Sequence, residues 1–215
     1  YLQLGKYQQS LKYAEKELEY SNDYDKCNAY QNNINAIIKL ETLRFEDHLV
    51  QKALNSCEYA EDELSYSLII ELVARSLMNI DDKSALDRLL LNLDRIKSIN
   101  YPLLSADTYA TLSALYGNIN KVDEAAWYAK KAFETGKHLS NTKTLARIHK
   151  LLSQSESRTG NSEQALVHFK EYNRINSLVL DEAQVKAIAY QSAQLNNLQQ
   201  QNEILRLRQS NLLLQ

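Results

Sequence analysis

Apolar and small residues recur every three to four positions along most of the chain, which is the spacing of one face of an α-helix. A short turn followed by an Ala-rich amphipathic stretch occupies 115–133, and the same pattern returns at 158–172. The small residues Ala85, Ala125 and Ala165 are spaced 40 residues apart, since 125 − 85 and 165 − 125 both equal 40. A period in this range indicates stacked helix pairs that share one continuous core.

The periodicity predicts five helix pairs, the first of them truncated, and the stretch 62–79 is the most apolar of the predicted helices. We therefore expect this helix to be the most buried. Pro102 fits the start of a helix in the fourth pair, because proline is tolerated in the first turn. The predicted pairs are 1–20, 24–60, 62–98, 104–137 and 142–178.

The composition supports an all-α fold. The chain contains only 1 Pro and 4 Gly, whereas turn-rich β-sandwiches and glycine-loop nucleotide folds need many more of both. Hydrophobic residues make up 44% of the chain, which is enough for a sizeable core.

The repeat resembles the tetratricopeptide repeat, in which a Gly, an aromatic and a small residue surround the start of the second helix. The resemblance covers about 1–178 and is carried by Gly5, Tyr7 and Ser10 and by Gly160, Ala165 and Phe169. It implies a right-handed superhelix of antiparallel helix pairs with a long C-terminal helix. The second unit lacks the turn Gly, Glu156 replaces a usual aromatic, and the period is longer than in the family.

In this repeat family the first helix of each pair lines a concave groove. Carrying those positions over predicts a ligand-binding groove, and its last four residues would form a basic patch suited to a carboxylate or an acidic peptide. An ordinary solvated helix face remains the alternative. The groove candidates are Asn32, Asn35, Lys39, Ser67, Asp107, Asn118, Arg147, Lys150, Gln154 and Arg158.

A second domain is predicted at 181–215, after a repeat domain of about four and a half hairpins at 1–180. This segment has no Gly or Pro, and its apolar residues follow a heptad with Leu195 at position a. Leucine at d with one Asn at a favours a parallel dimer. A helix that caps the last hairpin is the alternative. The predicted dimer residues are Leu195, Leu198, Asn202, Leu205 and Leu212.

No sequence motif for catalysis is present. The chain has no phosphate-binding loop, no His-Glu-x-x-His and no Cys-x-x-Cys, so we expect a non-enzymatic segment without cofactor or metal. The four histidines are scattered, and we interpret His149 as a core residue. We interpret the pair Asp81–Asp82 as a helix cap, and the 14 tyrosines as mainly packing residues.

The two cysteines, Cys27 and Cys57, form neither a disulfide framework nor a metal site by their number and spacing. They are about equally distant from the predicted turn near 42–43. They can therefore lie side by side in the second pair, and the sequence leaves open whether they are bonded.

Charge argues against nucleic acid as a partner. The net charge is −2, with −6 on residues 1–110 (12 Lys/Arg, 18 Asp/Glu) and +4 on residues 111–215 (13 Lys/Arg, 9 Asp/Glu). A strongly basic stripe is absent. The sequence contains no membrane-length apolar run. It opens at Tyr1 inside a repeat, so we interpret it as a fragment whose missing signals say nothing about compartment.

Hairpins followed by a zipper-like helix resemble the sensor part of bacterial membrane signalling proteins, most closely diguanylate cyclases with a GGDEF output domain and next histidine kinases. The resemblance implies a periplasmic sensor domain of an inner-membrane protein. It would bind a protein, a peptide or a small acidic ligand and relay this to an output domain, with homodimerisation through the C-terminal helix. The alternative function is a cytoplasmic scaffold or adaptor that binds peptides.

Overall fold

A computed structural model describes residues 7–22 and 25–212 of the chain. These residues form nine α-helices and no β-strand, so the expected all-α class is confirmed. The helices are α1 (Tyr7–Tyr20), α2 (Lys26–Ile37), α3 (His48–Tyr59), α4 (Glu63–Ser76), α5 (Asp82–Ile99), α6 (Pro102–Asn118), α7 (Val122–Gly136), α8 (Thr142–Arg158) and α9 (Ser162–Leu212).

The helices pack in consecutive pairs, α2 with α3, α4 with α5, α6 with α7 and α8 with α9, close to the predicted limits. The first helices of the pairs also pack on one another, α2 on α4, α4 on α6 and α6 on α8. They lie side by side in a row, and we call their shared side the first-helix face.

The turns inside the pairs repeat as regularly as the helices. Asn79, Asn120 and Gly160 follow α4, α6 and α8 at intervals of about 40 residues, and their φ angles are 66°, 60° and 86°. Glycine and asparagine adopt this left-handed conformation at the lowest cost, which lets each chain segment reverse tightly. The predicted alignment of Asn120 with Gly160 thus corresponds to two equivalent turns.

The core follows the same period. Leu72, Leu112 and Leu152 on successive first helices are all buried, and so are the small residues Ala85, Ala125 and Ala165 on the helices that follow. Small side chains let paired helices approach closely while the leucines fill the space between them. The helix predicted to be most buried, α4, hides every residue from Ile69 to Ala74.

Helix starts use the caps that the sequence indicates. Asp81 accepts a hydrogen bond from the backbone N–H of Ser84 (3.1 Å) at the start of α5, as predicted. Asn141 accepts one from the N–H of Thr144 (3.1 Å) at the start of α8, and Pro102 is the first residue of α6. These contacts satisfy donors that the first turn of a helix leaves unpaired.

The last helix is a single element of 51 residues. The expected boundary at 180/181 falls inside α9, so the exit segment continues the second helix of the last pair and is not a separate helix. At 1.5 Å per residue α9 is about 76 Å long. Ile175 is its last buried residue among those with described side chains.

A disulfide joins Cys27 in α2 to Cys57 in α3, with the two Cα atoms 4.6 Å apart. The bond therefore crosses the second helix pair, whose connection contains neither a Gly nor a residue with positive φ. Among the described helices, none is both long and apolar enough to cross a membrane.

Candidate functional site

Buried and half-buried charged side chains lie on the first-helix face, where three neighbouring helices meet. Glu71 projects from α4, Asp107 and Thr111 from α6, and Arg147 from α8. Thr111 follows Glu71 by 40 residues, and Arg147 follows Asp107 by 40. The repeat therefore places each pair at equivalent positions of adjacent helices, where their side chains meet.

Thr111 is the centre of this cluster. Its hydroxyl donates to Glu71 Oε1 (2.8 Å) and accepts a hydrogen bond from Arg147 Nη2 (2.7 Å). Arg147 Nη1 lies 3.8 Å from Glu71 Oε1 and 3.9 Å from Asp107 Oδ1. Thr144 donates to the same Asp107 oxygen (3.0 Å). The guanidinium thus bridges α4, α6 and α8 through two carboxylates and a hydroxyl.

Burial sets the electrostatics of the cluster. The pKa of Asp107 is raised because burial disfavours its charged form and because Glu71 is a nearby negative charge; Arg147 opposes this rise. The pKa of Arg147 is lowered by burial, while Glu71 acts in the opposite direction. The Glu71 side chain is only 4% exposed, so its carboxylate is surrounded by these neighbours rather than by water.

Further cations surround the two carboxylates. Arg75 Nη2 lies 3.6 Å from Glu71 Oε2. The pKa of Lys39 is lowered by burial and by the positive charges of Arg75 and Lys143, while Glu71 raises it. Four cations thus act together with two carboxylates, which leaves a net charge of +2 when both carboxylates are ionised. We call the four the cationic cluster: Lys39, Arg75, Lys143 and Arg147.

The predicted basic patch of Arg147, Lys150, Gln154 and Arg158 does not form one surface of free charges. Arg147 is the member that departs from the prediction, because Glu71 and Asp107 hold it between them. Lys150 is exposed. Arg158 donates to the carbonyl oxygen of Gly117 (2.9 Å). The patch therefore keeps two exposed cations, Lys150 and Arg158, while Arg147 is held in ion pairs.

The remaining groove candidates are divided among several places. Asn118, Gln154 and Arg158 line a cavity of about 140 Å³ between α6, α7 and α8, and Asn118 also donates to Asp82 (3.1 Å). Asn32 donates to Glu17 of α1 (3.2 Å). Three other candidates, Asn35, Lys39 and Ser67, lie on or directly after the first helices, and Ser67 is fully buried.

Sequence reasoning missed Glu71, Arg75, Thr111, Lys143 and Thr144. One signal was available, since Glu71 is the one acid between Ser65 and Asn79, in the most apolar stretch of the chain. A buried carboxylate requires a partner, and the 40-residue period leads from Glu71 to Thr111. The helix pairing needed to bring Arg147 to the same place is not readable from the period alone.

The predicted dimer residues lie on the part of α9 that extends past the last pair. Leu195 and Leu198 are both 57% exposed, and Ile188, one heptad before Leu195, is 56% exposed. Asn202 is exposed, and the side chains of Leu205 and Leu212 lie outside the described part. Tyr190, off this seam, donates to Gln9 of α1 (3.3 Å).

Within the described ranges no group of three or more His, Cys, Asp or Glu side chains is arranged to hold a metal ion. No protein-family model matches the chain, and no curated protein has a significantly similar sequence.

Proposed function

We propose that this chain is a tetratricopeptide-like binding and relay module of a bacterial transmembrane signalling protein. The first-helix face forms the concave groove of a superhelix and receives an acidic ligand, either a small carboxylate or an acidic peptide. The helix α9 transmits the bound state to an output domain, which we propose to be a diguanylate cyclase.

The observation that carries this proposal is the continuity of α9. Residues 162–178 of this helix pack on α8, which holds Arg147, and the same helix then continues to Leu212. The part after 178 is about 50 Å long at 1.5 Å per residue. A movement of the last helix pair is therefore carried outward by one rigid element.

The charge of the first-helix face favours an anionic ligand. The carboxylates of Glu71 and Asp107 offset Arg75 and Arg147 in the cationic cluster, and Lys39 has no ion-pair partner in the described chain. The Lys39 residue is accessible to solvent although its surroundings partly desolvate the amine, and an amine in this position beside other cations gains favourable interactions when it binds an anion. The carboxylates orient Arg147 and leave Lys39 available for contact with ligand.

The disulfide between Cys27 and Cys57 favours an extracytoplasmic module over a cytoplasmic scaffold. Structural disulfides persist in oxidising compartments such as the periplasm and are rare in the cytosol of mesophiles. The scaffold remains the second candidate, because the repeat architecture alone is compatible with peptide binding in either place.

The ligand class is tested with a panel of small di- and tricarboxylates and Asp/Glu-rich peptides, each paired with its uncharged amide. We expect at least one acid, and not its amide, to raise the melting temperature and to bind in calorimetry. Replacing Lys39→Glu should weaken that binding about 10- to 100-fold, the loss of one charge-assisted contact.

The control is Lys83→Glu, which makes the same charge reversal at an exposed position of α5 and should leave binding within about twofold. Equal weakening by both reversals would show a general charge effect rather than a site. Binding of amides as tightly as acids would contradict the anionic groove.

A further inference from the structure

Two histidines meet in the interior of the last helix pair. His149 on α8 and His168 on α9 approach with their Nδ1 atoms 3.1 Å apart. His149 is 9% exposed, and the ring of Phe133 on α7 packs edge-on against both imidazoles, at centroid distances of 5.5 Å and 5.9 Å. We call these two residues the histidine pair.

The distance of 3.1 Å defines which protonation states fit. One Nδ1 must carry a hydrogen and donate it, and the other must be unprotonated and accept it. A neutral pair and a pair with one extra proton both meet this condition. With a second extra proton both nitrogens carry hydrogens, and two positive rings face each other beside an apolar aromatic ring.

We propose that the histidine pair is a pH-sensitive latch that joins α8 to α9 while at least one ring is neutral and releases them when both rings are charged. The latch does not depend on what the first-helix face binds. It adds a second input, acidity, within the part of α9 that packs on α8.

Burial lowers the pKa values of the two histidines by more than Glu171 raises that of His149 or Glu156 raises that of His168, and each of these carboxylates already has a cationic partner. On α9, Glu171 is bonded through both carboxylate oxygens to Arg174 (2.6 and 3.0 Å). On α8, Glu156 accepts from Asn161 (2.8 Å) and pairs with Lys130 of α7 (3.3 Å). Lys137, at the end of α7, lines a cavity next to His149 and forms an ion pair with Glu134.

The pKa of His149 is lowered by burial and then by the positive charge of His168, and burial lowers the pKa of His168. A base whose pKa is lowered by folding binds fewer protons in the native state than in the unfolded state. Stability is therefore complete above the ordinary histidine pKa of about 6.5 and decreases as the pH falls below it.

The latch is tested on the whole chain by urea unfolding between pH 8 and pH 5, in buffers that contain a metal chelator. Between pH 8 and pH 5 we expect the unfolding constant of the wild type to increase about tenfold more than that of His168→Gln, because the glutamine amide does not titrate. The matched control His138→Gln, which removes an exposed histidine, should follow the wild type. Identical pH dependence of the wild type and His168→Gln would overturn the proposal.

A direct measurement keeps the test independent of the variant's folding. Titration of the imidazole nitrogen signals by NMR should give the pair two separated protonation steps, the second below the value of a free histidine. Hydrogen exchange of residues 162–178 should accelerate with that second step, beyond the change expected from pH alone. Two independent steps at the free-histidine value, with unchanged protection of α9, would also overturn the latch.

Discussion

Replacing Arg147→Met is expected to lower the free energy of unfolding by about 3 kcal/mol, the usual cost of removing one partner from a buried ion pair. Glu71 would remain at 3% exposure with Thr111 and Arg75 as its partners, and Asp107 would lose the only cation that contacts its carboxylate in the described chain. The methionine keeps most of the side-chain volume, so the loss reports charge and hydrogen bonding rather than a cavity. Urea denaturation at neutral pH measures it.

Two comparisons make this prediction specific. Lys150→Met removes an exposed cation one turn further along α8 and should change stability by less than about 0.5 kcal/mol. The double variant Asp107→Asn/Arg147→Met should be more stable than Arg147→Met alone, because Asp107 is the carboxylate that loses its contacting cation in the single variant. A cost below about 1 kcal/mol for Arg147→Met would mean that the buried network is not formed.

Replacing both Cys27→Ala and Cys57→Ala is expected to cost about 3 to 4 kcal/mol, the chain-entropy value for a bridge across a loop of this length. The bonded residues are 30 positions apart, and both are 1% exposed, so the alanines also leave unfilled space. Thermal or urea unfolding of the double variant measures the loss. Reduced wild-type protein serves as the control and should lose a comparable amount.

The bond itself is checked by thiol counting in denaturant. We expect no reactive thiol in protein purified without reductant and two after reduction, since the described chain contains no free cysteine. Two reactive thiols before reduction would contradict the disulfide. A double variant as stable as the oxidised wild type would show that packing, not the bond, holds α2 against α3.

The repeating part of the fold could be predicted from the sequence because its signals are local. Each turn needs a residue that tolerates positive φ, and Asn79, Asn120 and Gly160 supply it at about the same interval as the buried leucines. The second helix pair matches the repeat pattern poorly, and it is also the pair that the disulfide joins. A covalent bond there stabilises a turn that the repeat residues do not define.

The buried network could not be predicted in the same way. Arg147 looks like an exposed groove cation when α8 is considered alone, and only the packing of α6 and α4 beside it brings Asp107 and Glu71 within 4 Å. The histidine pair has the same origin, since His149 and His168 lie on different helices. The continuity of α9 was missed although no Gly or Pro between 162 and 212 ends a helix, because the change in apolar pattern near 181 was interpreted as a domain boundary.

The most direct test of the relay is whether α9 pairs with a second copy of itself. Ile188, Leu195 and Leu198 form an exposed apolar seam that a partner helix would cover. Sedimentation over a wide concentration range should show reversible dimerisation of the wild type and of Gln200→Asp, which places the same charge on the opposite side of the helix. Leu198→Asp should remain monomeric at every concentration. Dimers of equal strength in all three proteins, or a wild type that is monomeric throughout, would contradict a relay through paired α9 helices.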